Sequence, residues 1–169
     1  RGRIAGAKGA REGAQDEGGY LAGEPDDAQE ERRIGEPVDE PAHRDLLHPG
    51  SDDGYAYCLD AAQGALVWKQ KPSGQETLLL NDGKLISHWP CRTGVLVQDD
   101  IAYFGASLVP WEASYLCAVD AKTGAEEGPG RYRVTLEHLT MQGAMLATQT
   151  RLYLPQGRQK PEMFERANG

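Results

Sequence analysis

One stretch limits what this chain can fold into. Tyr55-Ala56-Tyr57-Cys58-Leu59-Asp60-Ala61-Ala62-Gln63-Gly64 recurs downstream as Tyr115-Leu116-Cys117-Ala118-Val119-Asp120-Ala121-Lys122-Thr123-Gly124. Tyr, Asp, Ala and Gly return at identical offsets, and Val119 stands for Leu59. A weaker third copy, Met163-Phe164-Glu165-Arg166-Ala167-Asn168-Gly169, carries Glu in the Asp position. Repetition at a fixed period calls for a stack of equivalent supersecondary units, each burying its neighbour's face.

The motif has a direct physical reading. Tyr55, Tyr57 and Leu59 alternate with Ala56 and Cys58, the period-2 pattern of a strand with two unlike faces. Asp60 can accept hydrogen bonds from backbone N–H groups two and three residues on, closing an Asx-type turn. Gly64 supplies the positive φ that ends the turn. Leu66 and Trp68 then begin the opposite strand. The acid therefore reads as a turn former rather than a catalytic base.

A second element precedes each later copy. Residues 94–105 and 143–155 each read as strand, tight turn, strand. Leu78-Leu79-Leu80, Asn81-Asp82-Gly83 and Lys84-Leu85-Ile86-Ser87 form a further short hairpin. The unit is thus three or four short antiparallel strands with a period of roughly 40–60 residues, the window of propeller blades. The expected fold is all-β, about two and a half four-stranded blades of a partial β-propeller.

These residues resemble the quinoprotein-like (PQQ-like) β-propeller repeat family, whose blades carry an Ala-x-Asp-x-x-Thr-Gly-Lys-x-x-Trp signature. Ala118, Asp120, Thr123 and Gly124 match it, as do Asp60, Gly64 and Trp68, whereas Cys58 and Ala65 depart from it. Glu165 and Gly169 mark the third copy. Other stretches, from Ile86 to Gly94 and from Leu152 to Arg158, look like a planctomycete-type bacterial subset. The resemblance covers residues 51–169. After Gly124 no Trp follows four residues on, so the second copy is expected to lack its docking aromatic and to have an irregular outer strand. Such blades serve enzymes and scaffolds alike. The resemblance implies a non-enzymatic scaffold or binding platform, similar to the propeller subunit of the outer-membrane barrel-assembly machinery and part of a longer protein. The alternative it implies is a piece of a PQQ-dependent oxidoreductase. In those enzymes the quinone stacks between a Trp and a vicinal disulfide beside Ca²⁺; this chain has no Cys-Cys dipeptide. No PQQ or Ca²⁺ site is therefore assigned. An exported or periplasmic location is what the resemblance implies, and nothing else supports it.

Composition narrows the partners. The net charge of −8 and the lack of a basic, aromatic-interleaved stripe argue against nucleic acid. No apolar run approaches the roughly 18 residues of a membrane helix, and the Arg-containing start has no apolar core of a signal peptide behind it. The three cysteines cannot all pair internally and read as buried thiols. The expected partner is the rest of the propeller, or a second copy, covering open sheet edges.

Residues 1–50 differ in kind. Tyr20 is their only aromatic, and Gly6, Gly9 and Gly13 interrupt the one Ala-rich stretch. Such a segment cannot bury enough apolar area to offset its ordering entropy, and it is expected to be disordered. Its junction with Gly50-Ser51-Asp52-Asp53-Gly54 lacks the two strands that should precede it, and Asp45 and Pro49 are poor strand formers. A reading-frame shift ahead of Gly50 and a genuine linker both account for this.

No catalytic constellation emerges. His88-Trp89-Pro90-Cys91 alone is too few ligands for zinc. Gly128-Pro129-Gly130 is a chain breaker rather than a phosphate cradle. Arg92, His138 and Arg158 fall near the ends of inner strands, where propeller channels collect ligand-binding groups. They are candidates for a polar channel mouth, against the alternative that they satisfy backbone groups in blade connections. Catalytic and metal-binding residues are not assigned.

Overall fold

The computed structural model of the chain describes residues 45–169; the disorder expected before Asp45 lies outside them. All twelve elements among the described residues are strands. The first sheet is β1 (Leu46–Leu47), β2 (Ala56–Asp60) and β3 (Leu66–Gln70), in that order. A separate hairpin, β4 (Leu78–Asn81) and β5 (Lys84–Ser87), follows. The second sheet is the complete meander β6 (Leu96–Gln98), β7 (Ile101–Ala106), β8 (Ser114–Asp120) and β9 (Tyr132–Leu136). The third is β10 (Leu146–Ala147), β11 (Arg151–Gln156) and β12 (Gln159–Glu165). All the strand pairs are antiparallel. The architecture is that of a partial β-propeller, one four-stranded blade between two three-stranded ones.

The alternation read in the sequence decides how the blades pack. In the central sheet Ala102, Phe104, Ala106, Cys117 and Val119 enter one core, with Ala56, Cys58 and Trp68 from the first sheet. Their neighbours Tyr103, Leu116 and Ala118 point the other way, into a second core with Leu152 and Leu154 of the third sheet. A sheet covered on both faces must bury both sets of alternating residues, and β8 does so.

The tight turns follow from local chemistry. Asp82 and Gly83 both have positive φ (49° and 75°), as do Asp99 and Asp100 (51° and 59°), the conformation that two-residue hairpin turns require.

Two expectations meet a different arrangement. A strand does precede Gly50, because β1 pairs Leu46 with Asp60 and Leu47 with Leu59. Asp45 and Pro49 flank it and contribute carbonyls, to Ala61 N (2.7 Å) and Tyr57 N (2.9 Å), so the proline's missing N–H costs nothing there. The outer strand of the second blade is regular, with β9 paired to β8 from Tyr132 to Leu136. Gly157 and Arg158 form a turn, and Gln159, Lys160 and Pro161 already belong to β12. Pro161 is tolerated because the register shifts between Leu154 and Gln156 and leaves it unpaired, on an edge strand among the described residues.

Candidate functional site

The ends of the blades divide into two sides. On one lie the Asp-to-Gly turns. Asp60 Oδ1 accepts Ala62 N (3.0 Å) and Gln63 N (2.8 Å), while Asp60 O accepts Gly64 N (2.8 Å). Asp120 Oδ1 accepts Lys122 N (3.0 Å), Thr123 N (2.8 Å) and Thr123 Oγ1 (2.9 Å). Burial alone would raise the Asp120 carboxyl pKa, but these hydrogen bonds and the Arg131 charge outweigh it and hold the group below the usual range. In the third copy Gly169 N reaches Glu165 O (2.9 Å), and the longer Glu165 side chain pairs with Arg151 instead of closing the turn.

These turns are receptors for aromatic rings. Trp68, 6% exposed, lays its indole on Gly124, where an added Cβ would lie 2.8 Å from Trp68 Cγ. Trp68 Nε1 donates to Ala121 O (3.0 Å), and Gln70 Nε2 donates to Gly124 O (2.7 Å). The third turn holds Tyr132 in the same way, with a Cβ at Gly169 falling 2.9 Å from Tyr132 Cε2. The second blade therefore has a docking aromatic after all, eight positions after Gly124 (132 − 124) rather than four. The loop over residues 125–131 takes up the difference. The substitution leaves the Tyr132 hydroxyl buried without a partner. Gly64, by contrast, has open space above it among the described residues.

On the other side the connecting loops are stitched together. Cys91 N donates to Ser51 O (2.9 Å), Gly143 N to Arg92 O (3.2 Å) and Gln142 N to Pro155 O (3.1 Å). Arg92, His138 and Arg158 all belong to this side. Arg92 forms a forked pair with Asp52 (2.7 and 3.2 Å), which lowers the Asp52 carboxyl pKa. Arg158 is exposed in the β11–β12 turn. His138, with φ of 62°, lines a cavity of about 240 Å³ together with Pro110, Trp111, Glu112, Ala113 and Glu137. Arg92 lines another cavity, with Ser107, Leu108, Thr140, Met141 and Gln142.

The His138 cavity has a built frame. Ser114 Oγ donates to Leu139 O (2.9 Å), and the buried Trp89 donates its Nε1 to Ala113 O (2.8 Å). Ser107 Oγ accepts Met141 N (2.6 Å). Trp111 stands free of this frame and is 76% exposed. The Pro110-Trp111-Glu112 segment lies between β7 and β8, and folding brings it beside Glu137 and His138, which follow β9. No group of three or more potential metal ligands occurs among the described residues.

No family model matches the chain, and no curated protein matches it. Among solved structures the chain is similar to the crystal structure of BamB from Moraxella catarrhalis, at 16% identity and a TM-score of 0.32. The match covers 72% of this chain and 43% of that one, so it spans less than half of BamB. Among the described residues no helix is long and apolar enough to cross a membrane. Cys58, Cys91 and Cys117 are free and buried, and burial pushes the Cys117 thiol up to about 12.

Proposed function

We propose that this chain is a non-enzymatic propeller module of the quinoprotein-like type, a scaffold whose end faces take up further blades or a second copy. One observation carries the reading: both outer faces repeat the internal packing surfaces but remain open among the described residues. Tyr57 and Leu59 occupy the positions of Cys117 and Val119 in the repeat. The latter two are buried against the preceding blade, whereas Tyr57 and Leu59 are only half-buried, beside the exposed Leu66 and Val67. At the far end Leu146, Tyr153 and Met163 form a cross-strand row of exposed side chains on the third sheet. The open turn at Gly64 lies at the same end as Tyr57 and awaits an aromatic ring. Apolar faces of this kind favour association because burying them releases about 25 cal/mol per Å².

Sedimentation velocity of the full chain, with and without PQQ and Ca²⁺, tests this reading. The expected result is mass that rises with protein concentration and no PQQ co-sedimenting. Saturable PQQ binding, or a folded monomer at every concentration, overturns it.

A further inference from the structure

We infer that the cavity lined by Trp111, Glu112 and Glu137 binds a cationic side chain, the guanidinium or ammonium group of a basic peptide segment. The site lies on the loop side, away from the docking turns, and does not depend on the assembly of blades. Trp111 is the most exposed large hydrophobic residue among those described, at 76%. Its neighbours around the cavity are two carboxylates, Glu112 and Glu137. An aromatic face combined with negative charge attracts cations by two additive routes, the ring quadrupole and Coulomb attraction. The net charge of −8 adds a long-range field of the same sign.

The volume, about 240 Å³, suits one side chain head rather than an extended cofactor. His88 approaches Glu112 with Nε2 3.9 Å from Oε1, beyond hydrogen-bond length, and so leaves the carboxylate able to accept from a ligand. The loop is held from both sides by the Trp89 and Ser114 hydrogen bonds, so a ligand meets a formed site and need not order it. An apolar ligand would satisfy the indole but strand the two carboxylates, and an anion would be repelled by them.

The test is an NMR titration of the full chain with N-acetyl-arginine amide, its neutral citrulline counterpart and a tri-arginine peptide. The chain has three tryptophans, and the indole N–H groups of Trp68 and Trp89 are hydrogen-bonded to backbone carbonyls, so the third indole signal reports on the site. The arginine probe should shift the Trp111 indole saturably, the tripeptide at lower concentration, and the citrulline probe weakly. Glu112→Gln with Glu137→Gln should weaken binding roughly fivefold or more, and added salt should weaken it further. In Trp111→Ala the backbone signal of His138 takes over as reporter and should move little. Equal shifts with citrulline, no shift of the Trp111 indole by any cation, or unchanged affinity in the double glutamine variant overturns the proposal. Unmoved Trp68 and Trp89 signals show that each variant is folded.

Discussion

Adding one methyl group at Gly124 should reveal whether Trp68 holds two blades together. Gly124 has φ of 72° and Gly64 has φ of 68°, so alanine suffers the same backbone penalty at both, ~1–2 kcal/mol. The surroundings differ. A Cβ at Gly124 lies 2.8–3.1 Å from three Trp68 atoms, whereas at Gly64 it meets nothing within 4 Å. Overpacking against a fixed ring adds ~1–3 kcal/mol. Gly124→Ala should therefore cost ~2–5 kcal/mol in total and Gly64→Ala only ~1–2 kcal/mol. Trp68→Ala should itself cost ~3–5 kcal/mol through lost burial and a cavity. Ala121 O keeps a partner in His48 Nε2 (2.9 Å), so no orphaned carbonyl enlarges that figure. With the ring gone, the added cost of Gly124→Ala should fall to that of Gly64→Ala. Urea unfolding with linear extrapolation measures all four variants. Equal costs at the two glycines in the wild-type background refute the docking argument, because only the indole distinguishes them.

Three more outcomes follow from the same geometry. Tyr132→Phe removes a buried hydroxyl without a partner, so stability should stay level or rise by up to ~1–2 kcal/mol in urea unfolding, whereas a loss would mean the hydroxyl is bonded. Asp120 is held below its ordinary value of 3.8, so the stability it contributes is present above pH 3.8 and is lost as pH falls through the folded value. Asp120→Asn should flatten that acid limb of the unfolding midpoint against pH. The three cysteines are buried, and burial raises their thiol pKa values, so Ellman's reagent should find them unreactive at neutral pH until the chain unfolds.

The fold was legible because its information is local and repeated. Strand alternation, the Asx turns at Asp60 and Asp120 and the Asn81-Asp82-Gly83 hairpin each depend on residues a few positions apart. The departures have a common cause as well. Tyr132 falls outside the motif, which fixes a spacing of four, because the loop over residues 125–131 delays the ring until the third turn can receive it. Leu46 and Leu47 look like a linker beside Asp45 and Pro49, and only their pairing with Leu59 and Asp60 makes them a strand. Arg92, His138 and Arg158 share one side of the blades by topology, yet Arg92 is engaged by Asp52 and His138 by a different cavity. A pairing across forty positions, such as Arg92 with Asp52, leaves no periodic trace in a sequence.

The central claim is that the face carrying Tyr57, Leu59, Leu66 and Val67 is an unfilled blade interface. Sedimentation velocity of the wild-type chain beside Leu66→Lys/Val67→Lys tests it most directly, since both substituted side chains are exposed and the variant should fold. The account predicts association in the wild type that rises with concentration and is lost in the variant, with equal urea midpoints only at concentrations where the wild type is monomeric. Association that survives both lysines, or a wild type that stays monomeric throughout, contradicts it.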